Sequence, residues 1–171
     1  MACLLTSGYT LGCRAQAGVQ AVYIGTWNST SLGYVMAGDG FTIGTFSGVT
    51  VSFYKFEQTV ETANFTAAAE INNENNAIQY AQSLEITLTN MTATLINQIK
   101  VLGQGAWRII VLDKQGNYWL MGYAGPVQVS ASAAGLGKAG TDLNGSTLTF
   151  MSKESQPLVA VASSAALSVI V

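Results

Sequence analysis

The chain has no histidine, the side chain most often used as a general base and metal ligand near neutral pH, so any chemistry must come from carboxylates, thiols or hydroxyls. Glu57 with Glu61, and Glu70 with Glu74, are acid pairs close enough to consider for acid-base work. On strands and turns, such residues are expected to be solvated charges instead. Cys3 and Cys13 lack metal-ligand spacing and have no imidazole to activate them. The start has no basic region before a sustained apolar core, so the two are read as thiols of a reducing compartment, with a disulfide as the competing reading. No nucleophile elbow surrounds a serine, and no Gly-Lys-Ser/Thr follows the glycines of 124–140. Trp27, Trp107 and Trp119 could form a ligand platform, but within apolar runs they read as core. These residue types point away from an enzyme, a cofactor or a metal site.

Composition points instead to association. Only 9% of the 171 residues are charged, against ~25% in typical soluble chains, and mean hydropathy is +0.33. No stretch approaches the ~18 apolar residues of a membrane span. Such a chain is short of charged surface, and much of its outside is expected to be covered by copies of itself. Residues 1–99 carry Arg14 and Lys55 against Asp39, Glu57, Glu61, Glu70, Glu74 and Glu85, a balance of 2 − 6 = −4. Residues 100–171 carry Lys100, Arg108, Lys114, Lys138 and Lys153 against Asp113, Asp142 and Glu154, 5 − 3 = +2. No basic cluster is present to grip a phosphate backbone. The acidic and basic parts can meet between subunits, or the acidic part can line a surface that repels a polyanion.

The elements that would position these groups centre on 84–123. Leu84, Ile86 and Leu88 alternate with polar residues as in a half-buried strand. Asn90 or Thr92 caps a helix whose Met91, Leu95, Ile99 and Leu102 share a face, and Gly103 and Gly105 end it. Trp107–Leu112 and Tyr118–Tyr123 form a hairpin across Asp113–Asn117. Both arms are apolar on both faces, so the helix is expected on one side and a second sheet or another subunit on the other. Upstream, 1–19 reads as an extended arm, Gln20–Trp27 as a strand, and 33–36 and 41–46 as short strands. Further strands are expected at 51–60, 62–71 and 77–89, with Asn72–Asn76 as a turn and Gln82 as the one polar residue on the last strand's inner face. Val127–Ser130 is expected to be a strand before a mobile loop, Asn144-Gly145 a hairpin turn or bulge, and Leu158–Val161 a strand. The apolar tail 163–171 is expected to tuck in, on this chain or a neighbour.

This order of elements, with its single helix Asn90–Gly103, its two-sided hairpin and its closing strand from Gly140-Thr141-Asp142-Leu143-Asn144-Gly145, resembles the tail tube proteins of long-tailed bacteriophages. The opening Met1-Ala2-Cys3-Leu4-Leu5-Thr6-Ser7-Gly8-Tyr9-Thr10-Leu11-Gly12-Cys13-Arg14, followed by Val22-Tyr23-Ile24, is similar to the start of structural proteins from phages of Bacteroidetes hosts. The resemblance implies one mainly β domain, a β-sandwich or small barrel with one flanking α-helix. It also implies a structural virion protein, assembled in the host cytoplasm, whose copies form rings stacked into a tube that conducts DNA without binding it specifically. Its partners would be copies of itself and other tail proteins, with no membrane. On this view Glu57, Glu61, Glu70 and Glu85 are assigned to the lumen, Arg14, Lys100 and Lys138 to contacts between rings, and arm, loop and C-terminal tail to clasping adjacent rings. The alternatives are a capsid decoration protein and a β-sandwich ligand-binding module.

Overall fold

The computed structural model describes residues 8–9, 16–27, 32–48, 51–59 and 61–171. The strands are β1 (Val19–Thr26), β2 (Leu32–Met36), β3 (Thr42–Gly48), β4 (Phe53–Phe56), β5 (Asn64–Asn72), β6 (Ala77–Thr89), β7 (Trp107–Asp113), β8 (Tyr118–Met121), β9 (Gln128–Gly135), β10 (Gly145–Glu154) and β11 (Val159–Val161). Helices α1 (Ala93–Gln104) and α2 (Ser163–Val169) complete the chain. A seven-stranded sheet runs β2-β3-β11-β8-β7-β1-β4, and a four-stranded sheet runs β5-β6-β10-β9. The protein is a β-sandwich with flanking helices, and neither sheet closes into a barrel.

The two-sided hairpin β7–β8 lies inside the larger sheet, which explains why both of its faces are apolar. Ile109, Val111 and Met121 point toward the smaller sheet and pack with Leu84, Ile86, Leu148 and Phe150. Ile110 and Leu120 point the other way, into a second core with Tyr23, Ile43 and Phe53. Helix α1 does not cover that second side. Its Leu102, Leu95 and Ile99 join the core shared with the smaller sheet. The opposite face is closed by α2, which buries Ala165, Ala166 and Val169, and Val171 N–H donates to Phe53 O at 3.0 Å. The apolar tail is therefore tucked onto its own chain through one face, with Leu167 and Val171 left exposed. A second helix thus joins the single one expected and covers this face of the larger sheet.

Local chemistry sets the boundaries. Thr92 caps α1, its Oγ1 accepting from Leu95 N–H at 3.2 Å, and Gly105 closes it with an N–H bond to Val101 O at 3.1 Å. Trp107 Nε1 donates to Leu102 O at 2.7 Å and ties the helix end to β7. Of the expected strand at 51–60 only Phe53–Phe56 is ladder-bonded, pairing with β1 at the sheet's edge. The loop expected after Ser130 is strand as far as Gly135, because β10 pairs with it through Gly145↔Gly135. Asn144-Gly145 is not a turn but the entry to β10. A Cβ on Gly145 would collide with Leu88 O, so the close strand approach there demands glycine.

The β7–β8 turn carries a pH dependence. Burial works to raise the Asp113 carboxyl, but bonds from Trp119 Nε1 at 3.0 Å, from the Asn117 backbone and side chain, and from Gln115 N–H outweigh it and hold the group below the usual aspartate range. A carboxylate with a depressed folded-state value stabilises the protein fully above its unfolded value of about 3.9, and that contribution is lost as pH falls through the folded value. Asp113→Asn should therefore flatten the acid limb of a stability-versus-pH curve below about pH 4, measured by urea unfolding. An unchanged limb would refute the assignment.

Candidate assembly surfaces

The outer face of the four-stranded sheet is covered by none of the described residues. Register fixes its composition: Asn64, Thr66, Ala68 and Glu70 on β5, Gln79, Ala81, Ser83, Glu85 and Thr87 on β6, and Thr147, Thr149, Met151 and Lys153 on β10. Ala131 and Ala133 continue it on β9 opposite Thr149 and Thr147. Small and polar side chains dominate this face, and its charges are Glu70, Glu85 and Lys153, with Lys153 Nζ 3.6 Å from Glu70. Two of the four carboxylates assigned to a lumen thus share one face. Glu57 and Glu61 do not join them. Glu57 follows β4 and pairs with Lys55 at 3.0 Å, while Glu61, at φ +63°, lies 3.8 Å from Lys114.

Both edges of this sheet are open. β5 has nine residues and β9 eight, and their only charge is Glu70. Edges of that length normally carry lysines, prolines or bulges that stop edge-to-edge pairing. β9 has a single irregularity, opposite Thr149/Phe150, and is exposed over most of its length. Such edges are templates for another chain.

The ends of the sheet differ in charge. The β5–β6 turn (73–76) carries Glu74, with Glu70 nearby on β5. At the far end, where β6 runs into α1, lie Lys100 on the helix and Lys138 in the 136–144 connection, whose Asp142 carboxylate accepts from the Lys138 and Ala139 N–H groups at 2.8 Å. These two backbone bonds hold the Asp142 carboxyl below its usual value. Arg14, Cys3 and Cys13 lie outside the described residues.

A buried polar cluster went unseen in the sequence. Arg108 is 2% exposed, with its guanidinium 4.2 Å above Trp27 and 5.2 Å from Tyr34, and Nε donating to Gly122 O at 3.0 Å. Glu154, 3% exposed, accepts from Ala124 N–H at 2.9 Å and from Ser152 Oγ at 2.9 Å. Burial pushes the Tyr34 phenol up to about 12 against the opposing pull of Arg108, and its OH donates to Tyr123 O at 3.2 Å. Arg108 and Glu154 are buried beneath the half-buried Trp27, Tyr34 and Tyr123, and their contacts pin β2, β7 and the 122–125 segment together. Its one sequence signal is the arginine within the otherwise apolar run 107–112. Gln82, noted as a polar interruption, is fully buried, and its Nε2 donates to Pro157 O at 2.6 Å. The tryptophans serve separately, as a stacking partner for Arg108, a tie to Leu102 and a donor to Asp113, and do not form one platform.

Comparison with known protein families, curated proteins and solved structures finds no match. The surfaces therefore have to speak through their chemistry. Among the described residues no group of three potential metal ligands comes together, and no helix is long and apolar enough to cross a membrane.

Proposed function

We propose that this is a self-assembling structural protein whose copies join through the open edges of the four-stranded sheet into rings, and whose rings stack into a tube of the kind that conducts DNA in a phage tail. The observation that carries the reading is the pair of long, nearly uncharged edges, β5 and β9, on opposite sides of a sheet whose outer face is uncovered. Strand direction alternates throughout this sheet. A copy rotated about a common axis offers its β5 antiparallel to the first copy's β9, so the alternation continues across the junction. Such a contact is head-to-tail, and it closes into a ring when the rotation divides a full turn. Closure also removes both edges.

The outer face then lines the bore with small polar side chains. Glu70 and Glu85 against Lys153 leave one negative charge per copy on it. A lining of that sign gives phosphate nothing to hold, as a conduit for DNA requires. Glu57 and Glu61 fall outside the bore in this arrangement.

Negative-stain electron microscopy across a concentration series tests the proposal. The expected result is rings or hollow tubes of uniform diameter, growing in number with concentration. A small monodisperse particle at every concentration would overturn it.

A further inference from the structure

The two free edges of the four-stranded sheet stand at different heights. Through the β5–β6 ladder, β5 runs from Asn72 opposite Ala77 to Asn64 opposite Glu85. Through β10, β9 runs from Gln128, in line with Met151 and Ser83, to Gly135, in line with Gly145 and Thr89. Measured on β6, one edge spans 77–85 and the other 83–89, so they share only the rows of Ser83, Leu84 and Glu85. Copies joined flush would leave most of both edges unpaired.

Sliding the next copy along the strands, toward the Thr89 end, brings the edges together. Its β5 reaches Gly135 once the offset is at least 89 − 85 = 4 residues, and still reaches Gln128 while the offset is at most 83 − 77 = 6. Five is excluded, because an odd step puts every side chain on the wrong face. The backbone groups agree. Asn90 N–H donates to Asn144 O at 2.7 Å, and bonded pairs alternate along an antiparallel ladder, so Leu88, Ile86 and Leu84 bond toward β10 and Glu85 toward β5. The same alternation turns the N–H and C=O groups of Phe65, Ala67 and Ala69 out of the free side of β5, and those of Ser132 and Ala134 out of the free side of β9. An even offset sets these two rows against each other.

We infer that neighbouring copies meet β5 to β9 with an offset of four or six residues along the strands. The offset rests on the ring proposed above and fixes its geometry. Four strands carry each copy roughly 19 Å sideways and the offset carries it roughly 13 or 20 Å lengthwise, at ~4.8 Å per strand and ~3.3 Å per residue. Copies of one ring stand level, so the strands lean from the ring axis by the angle whose tangent is the lengthwise step over the sideways one, about 35° or about 46°. Closed barrels lean their strands by about 35–45°. A flush junction would leave them upright. The unequal edges thus carry the stagger that closure needs.

Disulfide trapping in the full-length chain carrying Cys3→Ser and Cys13→Ser tests the offset. Ala68→Cys with Ala131→Cys reads an offset of four, Ala68→Cys with Ala133→Cys reads six, and Asn64→Cys with Ala131→Cys reads a flush junction. All four positions are exposed, so the substitutions leave the fold intact. They lie on the outer face, where facing residues across the junction are the close, unbonded pairs about 4.5 Å apart at Cα, within disulfide reach. Inside one chain β5 and β9 are three strand spacings apart, roughly 14 Å, so no bridge forms there. On oxidation, one of the two staggered pairs is expected to give a ladder of covalent oligomers, and the flush pair only monomer. A ladder from the flush pair alone would overturn the stagger and leave the β5–β9 junction standing. Electron microscopy of the same samples separates the remaining outcomes. Rings without a ladder from any pair would overturn the junction and the stagger together, and a staggered ladder without rings would retain both and overturn closure. Neither rings nor ladder would remove all three.

Discussion

Ala131→Glu combined with Ala133→Glu should give folded monomers that no longer form rings. The two alanines lie on β9, exposed, on the outer face of the four-stranded sheet opposite Thr149 and Thr147. None of the described residues packs over them, and exposed substitutions of this kind change stability by about 0.5 kcal/mol or less. In the assembled ring, however, the same strand adjoins β5 of the next copy, whose one charge is Glu70. Two added carboxylates per copy on the bore face, beside a strand that carries Glu70, repel across the junction at up to about 1 kcal/mol per like-charge pair. Because the cost recurs at each junction, the loss should read as near-complete disappearance of rings. Unchanged thermal unfolding alongside a monomer peak in analytical ultracentrifugation is the expected pair of results. Rings that persist with both glutamates present would show that β9 is not a junction strand.

Removal of residues 163–171 should have the largest effect on the fold itself. Helix α2 buries Ala165, Ala166 and Val169 against a face of the larger sheet that includes Phe53, Ile43, Ile110 and Leu120, each fully buried. Burying a valine side chain alone contributes about 1.5–3 kcal/mol. Uncovering the aromatic and aliphatic side chains beneath it forfeits more. A total of at least about 5 kcal/mol is expected, comparable to the whole stability of many domains of this size. The shortened chain should unfold at much lower urea or aggregate through the exposed face. Had the tail served only to clasp a neighbour, the monomer would lose nothing, so a wild-type urea midpoint for the shortened chain would refute the packing of α2.

The same tail shows how far local sequence reaches. Its lack of charge and its alanines, valines and leucine mark 163–171 as a segment to be buried, but local pattern does not say against what. Nine residues do not show a helical period strongly enough to separate helix from strand. Only the three-dimensional arrangement shows the bare face that α2 fills. Helix α1 was legible in more detail, because its cap Thr92, its spacing of Leu95, Ile99 and Leu102, and its closing Gly105 are all local. Its side of the sheet was not. That depends on which face the smaller sheet already occupies.

For the candidate surfaces the division is similar. Period-2 alternation identified β6 to the residue and put Leu84, Ile86 and Leu88 on its inner face and Glu85 on its outer one, since a strand's sides follow from its own spacing. Low charge and the absence of histidine led to the expectation of an association surface in place of a reactive site. Which carboxylates share a face was decided by the pairing of the strands. Glu70 and Glu85 share the outer face at opposite ends of the β5–β6 ladder, while Glu57 and Glu61 are left on the connection between the sheets. The burial of Arg108 and Glu154 depended on the fold in the same way, because Glu154 reads in the chain as an ordinary surface charge and the apolar run around Arg108 does not say what its guanidinium meets. Local spacing was enough for most of the strands, for their sidedness and for a need for cover, though not for the short extent of β4 or the full length of β9. Sheet order, the open edges and the stagger between them were set by the tertiary structure alone, because they arise from contacts between residues far apart in the chain, and local spacing carries no record of those.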